Sequence, residues 1–357
     1  MEDRFDNMYE QGVIRPPSEA SSLMVRVTRN CPWNQCVFCP AYKGTKFSRR
    51  TVDEVKKDID GMAAEYGSSA RVNSVFLQDA DSLVLPTDDL VTILEYLRER
   101  FPRIDRITTY ARARTLKRKS VDDLRRLKEA GLTRVHAGLE SGSEKVLQLI
   151  KKGLTPEEIV IGGRHVMDAG LELSEYVMPG IGGLALSEEH ALETARVLNL
   201  IRPHFIRIRT FAMHPKSPMQ RMVREGTFVP MNDEQIVAEI RNLVVHLDEM
   251  HSYFSCNDFS LNLLMQVDGF LDEKKAFMLK ELDAFLSLSK RQKQVYMLLQ
   301  RSGYYRYPLS VVEEQGVLDQ VIPEIEKLEK EGEDAFDRYI DVLKSYQLPQ
   351  PQTEDWN

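Results

Sequence analysis

Three cysteines lie close together near the start of the chain, at Cys31, Cys36 and Cys39, with the spacing C-x4-C-x2-C. Thiolate sulfur is a soft ligand that suits iron–sulfur clusters and zinc. Three cysteines on one loop can hold three irons of a [4Fe-4S] cluster and leave the fourth iron without a protein ligand. Because an open coordination position distinguishes a catalytic metal site from a closed structural one, the spacing predicts redox or metal-dependent catalysis.

Two other interpretations of the cysteines stay open. A structural zinc site would need Cys256 or a histidine as its fourth ligand, although zinc sites usually take paired cysteines from two separated hairpins. An iron–sulfur binding or sensor protein would hold the same cluster without catalysis. A disulfide framework is not expected in a chain of 357 residues with four cysteines, three of them inside nine residues. We interpret Cys256 as a buried thiol.

The composition is that of a globular protein, with 42% hydrophobic and 29% charged residues. The net charge of -7 argues against a general nucleic-acid-binding surface, which would usually be basic. No apolar run reaches the roughly 18 residues that span a bilayer, and the first residues lack the basic and apolar regions of a secretory signal. We therefore expect a cytoplasmic protein with no membrane partner, and a small-molecule substrate more than a nucleic acid.

Short apolar runs alternate with helical segments over residues 22 to 212. The runs predicted as strands are Leu23–Thr28, Val72–Leu77, Ile104–Tyr110, Thr133–Leu139, Leu171–Met178 and Phe205–Thr210. Capping boxes at Thr51 and Thr155 and a helix start at Ser120 mark the segments between them. Strands that alternate with helices predict an α/β fold with parallel strands, either a partial barrel or an open doubly wound sheet. In both, the active site lies at the carboxyl ends of the strands.

Four regions follow from this pattern. Residues 1–21 are predicted to form an N-terminal arm, 22–227 the α/β domain, 228–348 a helical C-terminal domain and 349–357 a flexible tail. The helices predicted in the C-terminal domain are Val237–Met250, Leu261–Phe270, Lys274–Leu288 and Val321–Tyr346.

The cysteine loop, its position after the first strand and the alternating pattern together resemble the radical S-adenosylmethionine (radical SAM) superfamily over residues 20–215. The common spacing there is C-x3-C-x2-C, so this loop carries one residue more. The resemblance implies a partial (β/α)6 TIM-like barrel, a [4Fe-4S] cluster and SAM as cofactors. It also implies reductive cleavage of SAM to a 5'-deoxyadenosyl radical, and a one-electron donor such as flavodoxin or ferredoxin.

The resemblance implies SAM contacts in the first half of the chain. Phe38, before the last cysteine, matches the aromatic residue that flanks adenine. The segment from Gln78 to Asp81 stands where the family often has Gly-Gly-Glu, and a carboxylate there would bind the SAM ammonium group. The choice between Asp79 and Asp81 stays open, as does a plain aspartate-rich turn.

Further SAM contacts are implied after the fourth and fifth strands. Glu140 and Ser141 belong to a Gly-Leu-Glu-Ser-Gly segment that resembles the Elongator-like and methylthiotransferase-like branch, where the glutamate contacts the ribose or the amino acid part of SAM. Lys152 matches a cation for the SAM carboxylate. Met178 and Gly180 match a segment that approaches adenine.

Polar side chains near the strand ends are candidates for the catalytic or substrate-binding groups. They are Tyr110, His136, Arg209 and His214. His136 shares a strand face with Glu140 because side chains alternate along a strand, although a histidine satisfied in the core is the commoner case. The basic run from Arg112 to Lys119 could meet an anionic substrate or an electron donor, or could be a solvated charged face.

Overall fold

The computed structural model describes residues 9–10, 14–66, 72–257, 261–303, 306–346 and 348. They form two compact units. The first contains the described residues up to Leu139 together with Gly153–Glu175, and the second contains Glu140–Lys152 and the described residues from Tyr176 onwards. The tail predicted at 349–357 lies outside the described residues, and the predicted domain boundaries stay predictions.

Ten strands are present in the described part of the chain. They are β1 (Leu23–Arg26), β2 (Thr28–Arg29), β3 (Ser48–Arg49), β4 (Ser74–Gln78), β5 (Arg106–Ala111), β6 (Arg134–Glu140), β7 (Glu172–Val177), β8 (Phe205–Ile208), β9 (Tyr253–Ser255) and β10 (Asp268–Phe270). Eight of them form a sheet in the order β1-β4-β5-β6-β7-β8-β9-β10, and β2 pairs with β3.

The α-helices of the described residues are α1 (Val52–Tyr66), α2 (Thr87–Arg100), α3 (Ala113–Arg118), α4 (Val121–Ala130), α5 (Glu144–Leu149), α6 (Pro156–Asp168), α7 (Gly183–Ile201), α8 (Met219–Arg224), α9 (Asp233–His246), α10 (Leu271–Leu286), α11 (Lys290–Ser302), α12 (Gln315–Glu329) and α13 (Ala335–Ser345). None of them is both long and apolar enough to cross a bilayer.

The first unit confirms the predicted alternation of strands and helices. Strands β1, β4, β5 and β6 pair in parallel, with Val75 opposite both Leu23 and Ile107. All five residues of β4 are buried, as expected for a parallel strand covered on both faces. The capping boxes at Thr51, Ser120 and Thr155 are present, so local hydrogen bonds begin α1, α4 and α6 where the sequence predicts.

The second unit contains strands that the sequence did not predict. Strand β9 pairs in parallel with β8, and β10 pairs antiparallel with β9. The helix predicted at Leu261–Phe270 is wrong, because its last three residues form β10. Strands of three residues are too short to show a period of two, so pairing with β8 decides them. The prediction of six strands is corrected to eight in the main sheet.

The C-terminal helices also differ in number from the prediction. The single helix predicted at Val321–Tyr346 is two helices, α12 and α13, which are separated by a turn containing Gly332 at φ +143°. Helix α11 was not predicted, although a capping box between Ser289 and Gln292 begins it. The α/β class itself is confirmed.

Candidate functional site

The three cysteines lie on one irregular loop between β2 and β3 in the first unit. All three side chains are partly exposed, and none is in a disulfide. Asn34 organises the loop: its side chain donates to the Tyr42 carbonyl (2.6 Å), and its own carbonyl accepts from Lys43 Nζ (2.8 Å). The Asn34 N–H also points at the Cys31 sulfur, at 3.4 Å.

A thiolate at Cys31 would be a better acceptor for this N–H than the thiol, and such contacts tune metal-bound sulfur. The donor set therefore fits a cluster by its chemistry. The side chains are not arranged in advance, because no three Cys, His, Asp or Glu residues of the described chain are grouped as a site for a metal ion.

Asp79 lies directly after β4 and is completely buried. One carboxylate oxygen, Oδ2, accepts from the Arg26 guanidinium (3.0 Å) and from the Asn30 N–H (2.8 Å). The other, Oδ1, is buried and has no hydrogen-bond partner among the described residues. Burial raises the pKa of Asp79, and these two contacts oppose the rise. A buried acceptor without a partner is costly, so Oδ1 is suited to a donor that arrives with a ligand.

Tyr42 connects this carboxylate with the cysteine loop. It is buried, and burial raises the pKa of its phenol well above the usual value. The charges of Asp79, Tyr110, Cys39 and Cys31 raise the pKa further, so these groups surround Tyr42 closely enough to act on it. Tyr42 could not be selected from the sequence, because a tyrosine three residues after a cysteine has no distinctive residue type or spacing.

Asp81 has a different environment from Asp79. Its two oxygens accept from the Thr115 hydroxyl (2.6 Å) and from the Arg112 N–H (3.3 Å), at the start of α3. Burial raises the pKa of Asp81 to about 6, against the effect of these hydrogen bonds. Both oxygens are therefore used within the protein. Between the two aspartates that the sequence left open, the geometry favours Asp79 as the ligand-binding carboxylate.

The other candidates of the first unit lie near this group or on the same sheet. Phe38 is half-buried on the cysteine loop, and Gln78 is buried at the end of β4, where its side chain donates to the Ile14 carbonyl (3.1 Å). The Tyr110 ring stands edge-on to Phe76, with centroids 5.0 Å apart, and lies 6.1 Å from the His136 ring.

His136 is fully buried and contacts the carboxylate of Glu19, a residue that was not predicted from the sequence. His136 Nε2 lies 3.3 Å from Glu19 Oε1, and Glu19 also accepts from Arg106 (3.1 Å) and Ser22 (2.7 Å). Burial alone would raise the pKa of Glu19, but these hydrogen bonds and charges outweigh it and lower the pKa to about 2. The described arm residues thus join the strand network, and a buried carboxylate holds His136 in the core.

The second unit contains the remaining candidates. Glu140 ends β6 with a positive φ of 59°, and its carboxylate accepts from Lys152 Nζ at 2.7 Å. Both side chains are about nine-tenths buried. The Glu140 carbonyl accepts from the Met178 N–H (3.0 Å). The structure therefore brings Glu140, Lys152 and Met178 together, as the resemblance implies, although it does not test their roles.

A buried network holds the turn after Glu140. The Ser141 hydroxyl bonds to His190 Nδ1 (2.8 Å), and Glu239 Oε1 lies 3.6 Å from His190 Nε2. Glu239 also accepts from the Gly180 N–H at 2.7 Å. Burial lowers the pKa of His190, which favours the neutral ring despite the Glu239 charge. Helices α7 and α9 therefore position both loops, and neither His190 nor Glu239 was selected from the sequence.

Arg209 and His214 lie just after β8 in the second unit. The Arg209 N–H donates to the Val177 carbonyl (2.9 Å), and His214 is buried, with Nδ1 accepting from the Lys216 N–H (3.1 Å). Cys256 is buried too, and burial raises the pKa of its thiol, as expected for a core cysteine. The catalytic roles of Tyr110, His136, Arg209 and His214 stay predictions.

Comparison with known proteins supports the resemblance to the radical SAM superfamily. Residues 25–195 match the family model described as the radical SAM superfamily. The chain is 24% identical over 122 residues to the tRNA uridine(34) acetyltransferase of Methanocaldococcus infernus, a match that covers 34% of this chain and 23% of the relative. It is 27% identical over 150 residues to an uncharacterised methyltransferase of Pyrococcus horikoshii, covering 42% of this chain and 30% of that protein. The chain thus spans less than a third of either relative.

A solved structure shares the fold. Coproporphyrinogen III oxidase from Escherichia coli, described as a radical SAM enzyme, superposes with a TM-score of 0.51 at 16% identity, over 67% of this chain and 53% of that one. This likeness confirms the predicted class, an α/β fold of the partial TIM-like barrel type. The cysteine loop, placed after the first parallel strand, lies inside the region that matches the radical SAM superfamily, so the resemblance seen in the sequence is confirmed for residues 25–195.

Proposed function

We propose that this protein binds a [4Fe-4S] cluster through Cys31, Cys36 and Cys39 and reductively cleaves SAM to a 5'-deoxyadenosyl radical. The observation that carries the proposal is Asp79. Its Oδ1 is buried and has no hydrogen-bond partner among the described residues, whereas Oδ2 accepts from Arg26 and Asn30. The charge of Asp79 acts on the same tyrosine as those of Cys31 and Cys39. A carboxylate in that position suits the ammonium group of SAM.

The protein's own groups have distinct tasks in this proposal. Cys31, Cys36 and Cys39 hold the cluster, which when bound supplies the electron for SAM cleavage. Asp79 binds the SAM ammonium group, and Phe38 packs on adenine. The burial of Tyr42 raises the pKa of its phenol, which favours the protonated form of a side chain near the cysteine loop.

The resemblance gives further tasks to residues of the second unit. Lys152 would bind the SAM carboxylate, with Glu140 holding its ammonium group until SAM is present. Glu140 and Ser141 would contact the ribose or amino acid part, and Met178 and Gly180 would approach adenine. The Gly180 N–H is already bonded to Glu239, which fixes that loop before a ligand binds.

Anaerobic reconstitution tests the proposal. The wild-type protein should bind about four irons per chain, and with dithionite and SAM it should form 5'-deoxyadenosine. Cys36→Ala should lose the cluster and the product. Cys256→Ala is the matched control, because this fourth cysteine is buried in the second unit, and it should retain both. Iron without SAM cleavage in any condition would support a binding or sensor protein, and zinc in place of iron would support a structural module.

The substrate is proposed to be a small molecule, in line with the net charge of -7. A tRNA is the second candidate, because the Methanocaldococcus infernus relative is a tRNA acetyltransferase. Gel-shift titration with bulk tRNA separates the two. A small-molecule enzyme should bind tRNA only weakly, and this binding should disappear as the salt concentration rises from about 50 to about 200 mM, as expected for a few phosphate contacts. Binding that resists this rise in salt concentration would favour tRNA as the substrate.

A further inference from the structure

Trp33 occupies the middle of the longer loop between Cys31 and Cys36, where the family spacing has one residue fewer. Two guanidinium groups lie over its ring, Arg112 at 5.1 Å and Arg114 at 5.7 Å from the centroid. The backbone of Gly153 packs against the ring so closely that a Cβ there would lie 2.2 Å from a ring carbon. We call Trp33, Arg112, Arg114 and Gly153 the tryptophan clamp.

The clamp is built on regular elements of the first unit. Arg112 is the residue before α3, and its N–H is fixed by Asp81. Arg114 lies in the first turn of α3 and pairs with Glu158 on α6 at 3.7 Å. Gly153, with φ +68°, lies in the loop before α6. The loop that carries the cysteines is therefore attached to α3 and to the start of α6 through one aromatic ring.

This arrangement keeps two positive charges beside the loop. Arginine stays protonated at every physiological pH, and both guanidinium groups contact a residue two positions from Cys31 and three from Cys36. Reduction adds an electron to a bound cluster, and a nearby cation stabilises the added negative charge, so the reduction potential rises. Arg114 is only partly neutralised, because Glu158 also pairs with Lys117 at 3.3 Å.

We infer that Arg112 and Arg114, held over Trp33, are positioning residues that raise the reduction potential of the cluster and make it easier for the electron donor to reduce. The inference rests on the proposed function, because it assumes that Cys31, Cys36 and Cys39 bind the cluster.

The first test needs no cluster. The chain has two tryptophans, so a Trp356→Phe background leaves Trp33 as the sole emitter. In cluster-free protein, Arg112→Gln and Arg114→Gln should each lower the quenching of Trp33 fluorescence by iodide about twofold, because the guanidinium groups attract this anion. Quenching by acrylamide, which is neutral, should stay unchanged. Equal iodide quenching in all variants would show that the clamp does not form in solution.

The second test is the midpoint potential, followed by electron paramagnetic resonance in an anaerobic redox titration. Arg112→Gln and Arg114→Gln should bind the same iron as the wild type and have lower midpoint potentials, so that several-fold less cluster is reduced at a fixed applied potential. Lys117→Gln is the matched control, because it removes a cation of α3 that shares Glu158 but does not lie over Trp33, and its shift should be smaller.

The outcomes separate the two proposals. A wild-type protein without a [4Fe-4S] cluster would overturn the proposed function. A wild-type protein with the cluster, together with arginine variants whose potentials equal that of the wild type or shift no more than that of Lys117→Gln, would overturn only the inference about the clamp.

Discussion

Replacing Asp79 by asparagine should weaken SAM binding strongly with little cost to the fold. The substitution keeps the size of the side chain and removes its charge. Burial raises the pKa of Asp79, so removing its charge spares the protein a desolvation cost, and the asparagine oxygen can still accept from Arg26 and Asn30. Arg26 keeps a second carboxylate, Glu10, at 3.5 Å.

The expected loss follows from the contact that Asp79 is proposed to make. A hydrogen bond to a charged group contributes about 1.5–3 kcal/mol, and each 1.4 kcal/mol is about tenfold in affinity. Asp79→Asn should therefore bind SAM about 10- to 150-fold more weakly. Equilibrium dialysis of the reconstituted protein with labelled SAM measures the dissociation constant, and the iron content checks that the cluster is intact.

Asp81→Asn is the comparison for this measurement. It lies two residues away and is as buried as Asp79, but both its oxygens bond to the start of α3. Its SAM affinity should stay within about threefold of the wild type, because the lost contacts are internal ones that affect stability. Loss of SAM binding in Asp81→Asn with normal binding in Asp79→Asn would refute the assignment.

Three further predictions concern stability. Gly153→Ala places a methyl group 2.2 Å from Trp33 at φ +68° and should cost about 1–3 kcal/mol in the free energy of unfolding; an unchanged urea midpoint would contradict the packing. Asp233 accepts from Arg301 at 2.9 Å and from Lys344 at 3.4 Å, and its pKa is lowered from 3.8 to about 2. It therefore stabilises the fold by about 2–3 kcal/mol above pH 4 and loses this as the pH falls towards 2. In urea titrations from pH 5 to 2.5, the free energy of unfolding of Asp233→Asn should fall less steeply with pH than that of the wild type. Equal slopes in the two proteins would count against this prediction. Glu239→Ala leaves the Gly180 N–H without its acceptor and should lower the free energy of unfolding by about 1–3 kcal/mol. A urea titration at pH 7 measures this loss, and Glu239→Gln, which keeps an acceptor oxygen, should lose less.

Much of the α/β architecture could be predicted because it is encoded locally. Each of the six strands predicted by its apolar run is present, as β1, β4, β5, β6, β7 and β8. The capping boxes at Thr51 and Thr155 begin helices as expected. Apolar runs and caps act over a few residues, so the sequence contains the whole signal. Strands β9 and β10 could not be predicted in this way, since three residues show no period and form by pairing with β8.

By itself the sequence determined the three cysteines, their spacing and the place of their loop after the first strand, because ligand type and order along the chain are properties of the sequence. Only the tertiary structure decided which aspartate keeps an unpartnered oxygen, that Glu19 meets His136, and that Gly153 packs against Trp33. Each of these depends on residues between 49 and 120 positions apart in the chain. Contacts at such separations are set by how strands and loops pack, which no local pattern of residue types encodes.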